Sequence, residues 1–514
     1  MNILFLAAEA APLAKVGGLG DVAGSLPRAL AGLGHDVRVA LPFSGVVDRA
    51  RWAPKPVARF DVPHVGGDQV ARVSEVRLGG VTFYLIAGPP IPKAKRVYGT
   101  TIAEDGPKFI FTSLAALGLC RALDWTPDIV HGNDSHTGPA IYWLDSAGLN
   151  DPRFQNTATV FSIHNLGYMN TGAAQYLRAY GLTPSDSPVL PDWARESLLG
   201  LGLAHADMLN TVSPTYAREI LTAEYGYGLE GVLQARRDRL VGILNGLDLD
   251  FWNPRRDPHL SARYDADTLD RRDKNKRALQ KALGLPLAAR TPLIGVVSRL
   301  DTQTGFDIGV PALRELWAGP DEAQLVVLGS GLPAIEADFR ALAAENPERV
   351  RLRLGFDAAL ASRIFAGADL LLAPSRCEPC GLAQMIGLRY GAPPLVRATG
   401  GLADTVTDDA VARRGTGFVF TDYNSAALLA GLRRALSVYR RPDRWRALQR
   451  RGMRQALQFS WARSAESYLA LYQQAITLRK EAVTRLTRML ADDPAFDSPD
   501  GDGLLIGTGQ GTLR

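Results

Sequence analysis

The chain has 514 residues, 46% hydrophobic and 22% charged, an ordinary globular composition that at about 100–200 residues per domain suggests two to four domains. A net charge of +5 is diluted along the chain and three cysteines are too few for a disulfide framework, so nucleic-acid binding is disfavoured and a reducing compartment is expected. Glycine follows no three-residue period and no apolar run reaches the roughly 18 residues of a membrane span. The apolar opening meets Glu9 too soon for a secretory signal, which leaves a first buried strand and a cytoplasmic protein.

Short apolar runs then alternate with longer amphipathic stretches. Ile3–Leu6, residues 37–40, 81–86, 128–130 and 159–163 read as strands of one sheet, with helical periodicity over 22–33 and 109–123. Most are too continuously apolar to have a wet face, the pattern of a parallel sheet covered on both sides. A charged, proline-bearing stretch over 255–289 precedes a second series at 293–297, 325–329, 350–354, 369–373, 395–396 and 418–420. Two α/β domains joined near 245–290 follow from this rhythm. The arginine run from Arg440 to Arg454 reads as a solvated helix face, and the turn-forming residues after Lys480 as a disordered tail.

Two glycine loops carry the first chemical signal. Gly18-x-Gly20-x-x-Ala23 matches a dinucleotide fingerprint mechanically, yet a loop separates it from the first strand and no acidic residue caps the second. A glycine-rich loop entering a helix, with Lys15 and bare amides of Gly17 and Gly18 facing an anion, fits better. Thr399-Gly400-Gly401-Leu402 repeats the arrangement in the second domain, which suggests a phosphate-bearing ligand at the carboxyl ends of the strands. Cys377-x-x-Cys380 lacks further ligands for zinc, since Cys120 is the only other cysteine. Glu378 beside it is placed to bind a substrate hydroxyl, and Arg299 after the 293–297 strand to fork onto phosphate oxygens. His131-Gly132-Asn133-Asp134-Ser135-His136 and Ser162-Ile163-His164-Asn165 end two further strands.

Together these segments, with Asn210–Pro214, Gly242–Asp248 (which includes Asn245), Trp252–Pro254 and Phe459–Trp461, resemble the bacterial glycogen synthases and plant starch synthases, ADP-glucose-dependent retaining glucosyltransferases. The resemblance runs over about residues 1–476. It implies two Rossmann-like domains facing a deep inter-domain cleft, the GT-B arrangement. The expected division is 1–250 for the acceptor-side domain, 251–459 for the nucleotide-sugar domain, 460–479 for a helix crossing back and 480–514 for the tail. It further implies ADP-glucose as donor, an α-1,4-glucan as acceptor, no metal or other cofactor, no nucleic-acid or membrane partner, and leaves oligomeric state open. Arg299, Glu378 and Asp105 take the catalytic positions, Asp105 lying before the Lys108-Phe109 pair. Lys15, Gly17, Gly18, Asn133, His164, Asn245, Thr399, Gly400, Gly401 and Leu402 take the substrate-binding positions.

Three departures stand on the same rim. The family's Gln-Lys-Gly is Gln303-Thr304-Gly305, the aromatic after the Asp of the histidine motif is Ser135, and the acid or tyrosine eight residues past the motif glutamate is Ile386. Loss of one charge-assisted diphosphate contact costs ~2–4 kcal/mol of transition-state stabilisation if nothing replaces it. The competing expectations are an active ADP-glucose glucan synthase, a related transferase with another donor or acceptor, and a weak or inactive homologue that binds glucan or nucleotide.

Overall fold

Two largely parallel sheets organise the chain. The structure, a computed structural model, describes residues 1–411 and 414–491. Of these, residues 1–212, 217–243 and 464–491 form one compact unit, and residues 213–216, 244–411 and 414–463 form a second.

The first unit is built on β1 (Asn2–Leu6), β2 (Asp36–Pro42), β3 (Lys55–Val62), β4 (Gln69–Leu78), β5 (Val81–Ala87), β6 (Ile129–Asn133), β7 (Ala158–Ile163), β8 (Met208–Thr211) and β9 (Leu240–Gly242). Their order is β3-β4-β5-β2-β1-β6-β7-β8-β9. From β5 to β9 every pairing is parallel, whereas β3 and β4 add an antiparallel ribbon. The apolar runs at 3–6, 37–40, 81–86 and 159–163 all lie in these strands, as expected of segments buried on both faces. The ribbon was not expected, because β3 and β4 intersperse Lys55, Arg59, Asp61, Arg72, Glu75 and Arg77 among their apolar residues.

The second unit holds β10 (Leu293–Val297), β11 (Gln324–Gly329), β12 (Val350–Leu354), β13 (Leu370–Ala373), β14 (Pro394–Arg397) and β15 (Phe418–Phe420). All are parallel, in the order β12-β11-β10-β13-β14-β15. Ile294, Val296, Leu325, Val327, Leu370, Leu372 and Leu395 form the core beneath helices Phe306–Ala318 and Ser425–Tyr439. The expected α/β class with two Rossmann-like sheets is the class observed. The arginine run of helix Pro442–Ala456 and the residues before it is tied down by acids: Arg440 to Asp321 at 3.1 Å, Arg446 to Asp273 at 3.1 Å, and Arg444 to Asp409.

Helix Trp461–Ala491 continues through residues 480–491, where a tail was expected; residues 492–514 lie outside the described residues. From Ser464 on, this helix belongs to the first unit. Its Tyr468 and Tyr472, one turn apart and so on one face, enter a fully buried polar row across the sheet. Tyr472 Oη lies 2.7 Å from His131 Nδ1, His131 Nε2 2.5 Å from Ser162 Oγ, and Asn210 bridges Ser162 to Tyr468 at 3.0 Å. Farther along, Arg479 donates to Asp207 at 3.1 Å, and Asp207 also accepts from both the amide and the hydroxyl of Thr159. Burial holds His131 neutral, its pKa well below the usual histidine value, so each ring nitrogen needs a specific neutral partner. Tyr472→Phe leaves His131 Nδ1 unpaired and is expected to lower stability by about 1–3 kcal/mol in urea unfolding; an unchanged midpoint would show that the row does not hold the helix.

Candidate active site

In the second unit the sequence-predicted residues gather at the carboxyl ends of three neighbouring strands, β10, β13 and β14. Arg299 stands just beyond β10, exposed, with Nη1 3.0 Å from Asp301. Glu378 lies in the segment after β13, partly exposed, with its pKa pushed up to about 7 by burial and drawn down by the nearby Arg299 charge. Such a carboxyl near neutrality can both donate and accept towards sugar hydroxyls. Thr399, Gly400, Gly401 and Leu402 follow β14, where helix Gly400–Thr405 begins.

The two glycines are there for close approach. A Cβ on Gly400, which has φ +43°, would lie 2.0 Å from the Glu378 carbonyl oxygen, and one on Gly401 would lie 2.0 Å from that of Cys380. The Gly401 amide, expected to face a diphosphate, instead donates to the carbonyls of Glu378 (3.0 Å) and Pro379 (3.2 Å). Likewise the amide of Leu402 donates to Thr399 O at 3.1 Å, and Leu402 is buried against Val396 and Val406. Gly401 and Leu402 therefore shape the segment that carries Glu378 rather than offer amides to a ligand. Asn245 is also in this unit, buried, with an Oδ1 that has no hydrogen-bond partner among the described residues.

Thr304 points inward. Asp301 accepts from the amides of Gln303 (3.0 Å) and Thr304 (3.1 Å), while Thr304 Oγ1 donates to Asp301 O at 2.8 Å. The hydroxyl closes its own turn and leaves no cation at this position. One residue escaped the sequence reasoning altogether. Phe356 follows Gly355 (φ +106°) past the end of β12 and is 87% exposed.

In the first unit, Asn133 and His164 end β6 and β7 side by side. His164 Nε2 lies 2.8 Å from Asn133 Oδ1, whose amide nitrogen donates to Leu6 O at 2.8 Å. Burial lowers the His164 pKa to about 4, so the imidazole stays neutral. Asp134 was quoted only as part of its motif, yet it is the more unusual residue. It is buried, holds φ +55°, accepts from the His164 amide at 2.7 Å, and burial pushes its pKa to about 7. Strain at a buried acid beside two strand ends is a mark of a functional position.

The glycine-rich loop of this unit differs from expectation. The Gly17 amide donates to the Glu9 carboxylate at 3.1 Å, and Lys15 Nζ pairs with Asp21 at 2.6 Å. Gly18 opens helix Gly18–Gly32, exposed and with open space around it. Asp105 is buried, 2.6 Å from Lys108 Nζ, and accepts the Gly99 amide at 2.8 Å. Those contacts give it a structural task in holding residues 97–99. At the two remaining departures the side chains are built into the fold: Ser135 accepts from Asn170 at 2.9 Å, and Ile386 is buried in helix Ala383–Arg389.

Ser185, His205 and Asp145 also stand at triad spacing, with both links at 2.8 Å. Ser185 is 2% exposed and its Oγ already accepts the Ser187 amide, so the trio ties a loop to helix Leu198–His205 and is closed to a substrate. Among the described residues no group of three or more His, Cys, Asp or Glu side chains could hold a metal ion, and no helix is long and apolar enough to cross a membrane.

Residues 2–235 match the starch synthase catalytic domain family and residues 284–451 the group 1 glycosyl transferases. A glycogen synthase of Anaeromyxobacter dehalogenans (strain 2CP-C) is 46% identical over 479 residues, 92% of this chain and 99% of that protein. The chain belongs to the glycogen synthase and starch synthase family. A second glycogen synthase, from Gloeobacter violaceus, is 44% identical over 93% of this chain and 99% of its own. Among solved structures, the catalytic domain of starch synthase IV from Arabidopsis thaliana, bound to ADP and acarbose, superposes with a TM-score of 0.85 at 32% identity, covering 93% of this chain and 99% of that one. The fold is the GT-B fold of these glycogen and starch synthases.

His136 gives this synthase-family site a measurable pH signature. Its Nδ1 is buried without a partner among the described residues, its ring packs on Phe109 and Tyr98, and burial with the Lys108 charge lowers its pKa from 6.5 to about 3. The folded chain thus refuses a proton that the unfolded chain accepts below pH 6.5. This group costs no stability above pH 6.5, and stability is lost as pH falls from 6.5 towards about 3, by up to about 1.4 kcal/mol per pH unit. Urea unfolding at pH 7 and pH 5 should show a larger loss for the native chain than for His136→Gln; equal losses would contradict the assignment.

Proposed function

We propose that this protein is a retaining glucosyltransferase that moves glucose from ADP-glucose to the non-reducing end of an α-1,4-glucan. The observation that carries this reading in the geometry is the meeting of Arg299, Glu378 and the Gly400–Gly401 turn over three adjacent strands of one parallel sheet. Ligands of such sheets bind where those strands end.

Arg299 is the cation suited to the diphosphate, and its stabilisation of the leaving group is where catalytic effort falls. The bond from glucose C1 to the diphosphate oxygen breaks through an oxocarbenium-like state, and the bond from C1 to the acceptor O4 forms on the same face. That geometry places the acceptor hydroxyl beside the departing oxygen, which takes its proton, so no protein nucleophile is required. Glu378 and Asn245, whose Oδ1 is buried and unpartnered among the described residues, are assigned to sugar hydroxyls. Within the first unit, Asn133, His164 and Asp134, with Lys15 and Gly18 at the glycine-rich loop, are assigned to substrate binding. The reading needs no metal ion or cofactor beyond the donor. Three free, buried cysteines suit a cytoplasmic setting.

The turn at Thr304 favours one refinement, an enzyme slower than a lysine-bearing one. Purified protein given labelled ADP-glucose or UDP-glucose with glycogen should incorporate label from ADP-glucose. Thr304→Lys should raise kcat/KM about 10–100-fold. No incorporation from either donor by either form, with glycogen still bound, would overturn the transferase reading in favour of a glucan-binding relative.

A further inference from the structure

Glu9 is the buried acid that the mechanism above does not use. It follows β1, is 2% exposed, and its carboxylate meets three donors. Oε2 accepts the Val16 amide, both oxygens lie 3.1–3.2 Å from the Gly17 amide, and Oε1 accepts the Tyr98 hydroxyl at 2.8 Å. Helix Gly18–Gly32 presses on the same group from the other side: a Cβ on Gly20 would lie 3.0 Å from Oε2. Tyr98 is partly buried, and desolvation together with the Glu9 charge holds its pKa well above the usual value, so its hydroxyl stays protonated and donates. The segment behind Tyr98 is fixed in turn, Gly99 by Asp105 and Val97 by Lys108 at 2.6 Å.

Two consecutive amides with no side chain between them to cap would otherwise turn to water or to whatever anion arrived. Here a permanent internal carboxylate takes both, so the first half of the loop is ordered before any substrate is present. What remains for a ligand is the second half: the exposed Gly18, the start of the helix, and Lys15, half-exposed beside Asp21. We propose that Glu9 is a positioning residue, an internal anion that clasps Val16 and Gly17 and, through Tyr98, locks the glycine-rich loop to residues 97–99 so that Lys15 and Gly18 are presented in one geometry to the sugar nucleotide. This inference rests on the transferase reading for its consequence, though not for the clasp itself.

The physical logic is preorganisation. A loop that must be ordered by its ligand takes the ordering cost out of binding, and one already ordered does not. Glu9→Gln keeps the side-chain volume but presents an amide nitrogen to one of the donors, which leaves that donor unsatisfied. Tyr98→Phe is the milder change, removing one of the clasp's contacts and keeping the ring against His136 and Phe109.

The test combines amide hydrogen exchange on the full chain without substrate with steady-state kinetics on ADP-glucose and glycogen. In Glu9→Gln, exchange at Val16 and Gly17 should rise at least tenfold, the KM for ADP-glucose should rise about tenfold or more, and the KM for glycogen should move much less. Tyr98→Phe should shift both readouts in the same direction by a smaller factor, and the double variant should fall short of the product of the two effects, since both act through one carboxylate. Unchanged exchange in Glu9→Gln overturns the clasp. Faster exchange with native KM and kcat overturns the positioning role. A lowered thermal midpoint with native kinetic constants per folded molecule does the same, because a merely structural residue would give that result. Failure of the transferase reading shows separately, as absence of turnover in the unaltered protein.

Discussion

The second unit depends on backbone packed directly on backbone. Gly400 and Gly401 lie against the carbonyls of Glu378 and Cys380 so closely that a single methyl group at either would overlap them. The contact joins the loop after β14 to the loop after β13, and the Gly401 amide seals it with hydrogen bonds to Glu378 and Pro379. Because the Glu378 main chain is held from its neighbour strand, its carboxyl is aimed without a long side-chain network. A flexible loop would have to order that carboxyl anew at each turnover, at a cost in near-attack geometry.

The first unit solves the same problem with side chains. Polar residues in the middle of its sheet, His131, Ser162 and Asn210, would be costly if unpaired, and Tyr468 and Tyr472 of the C-terminal helix complete them. At the strand ends the carboxyl groups of Asp134 and Glu9 take backbone amides, Asp134 from His164 and Glu9 from Val16 and Gly17. Histidines 131, 136 and 164 are all kept neutral by burial.

How much of this was legible in the sequence follows from the physics of each element. The parallel strands were readable because burial on both faces leaves an unbroken apolar run, as in Leu293–Val297. The ribbon of β3 and β4 was not, since a strand with charged residues such as Arg59 and Arg72 among apolar ones has no such run; its marks are the turn pairs Gly66-Gly67 and Gly79-Gly80 at the two ends of β4. Among site residues, Arg299, Glu378 and the two glycine loops were found from residue type and from their place after strands. What the loops do with their amides was not. A glycine motif states that the chain bends or approaches closely, and says nothing of which partner takes the N–H. Glu9 looked like an interruption in an apolar opening; only its burial distinguishes it.

The central claim is that the Gly400–Gly401 contact builds the donor site. Titration calorimetry of ADP against the full chain and its Gly401→Ala variant tests it most directly, with urea unfolding as the check that the variant folds. The account predicts that the folded variant loses at least tenfold in ADP affinity, about 1.4 kcal/mol or more, because the alanine pushes the Glu378–Cys380 segment away. Native affinity in a folded Gly401→Ala chain would contradict it.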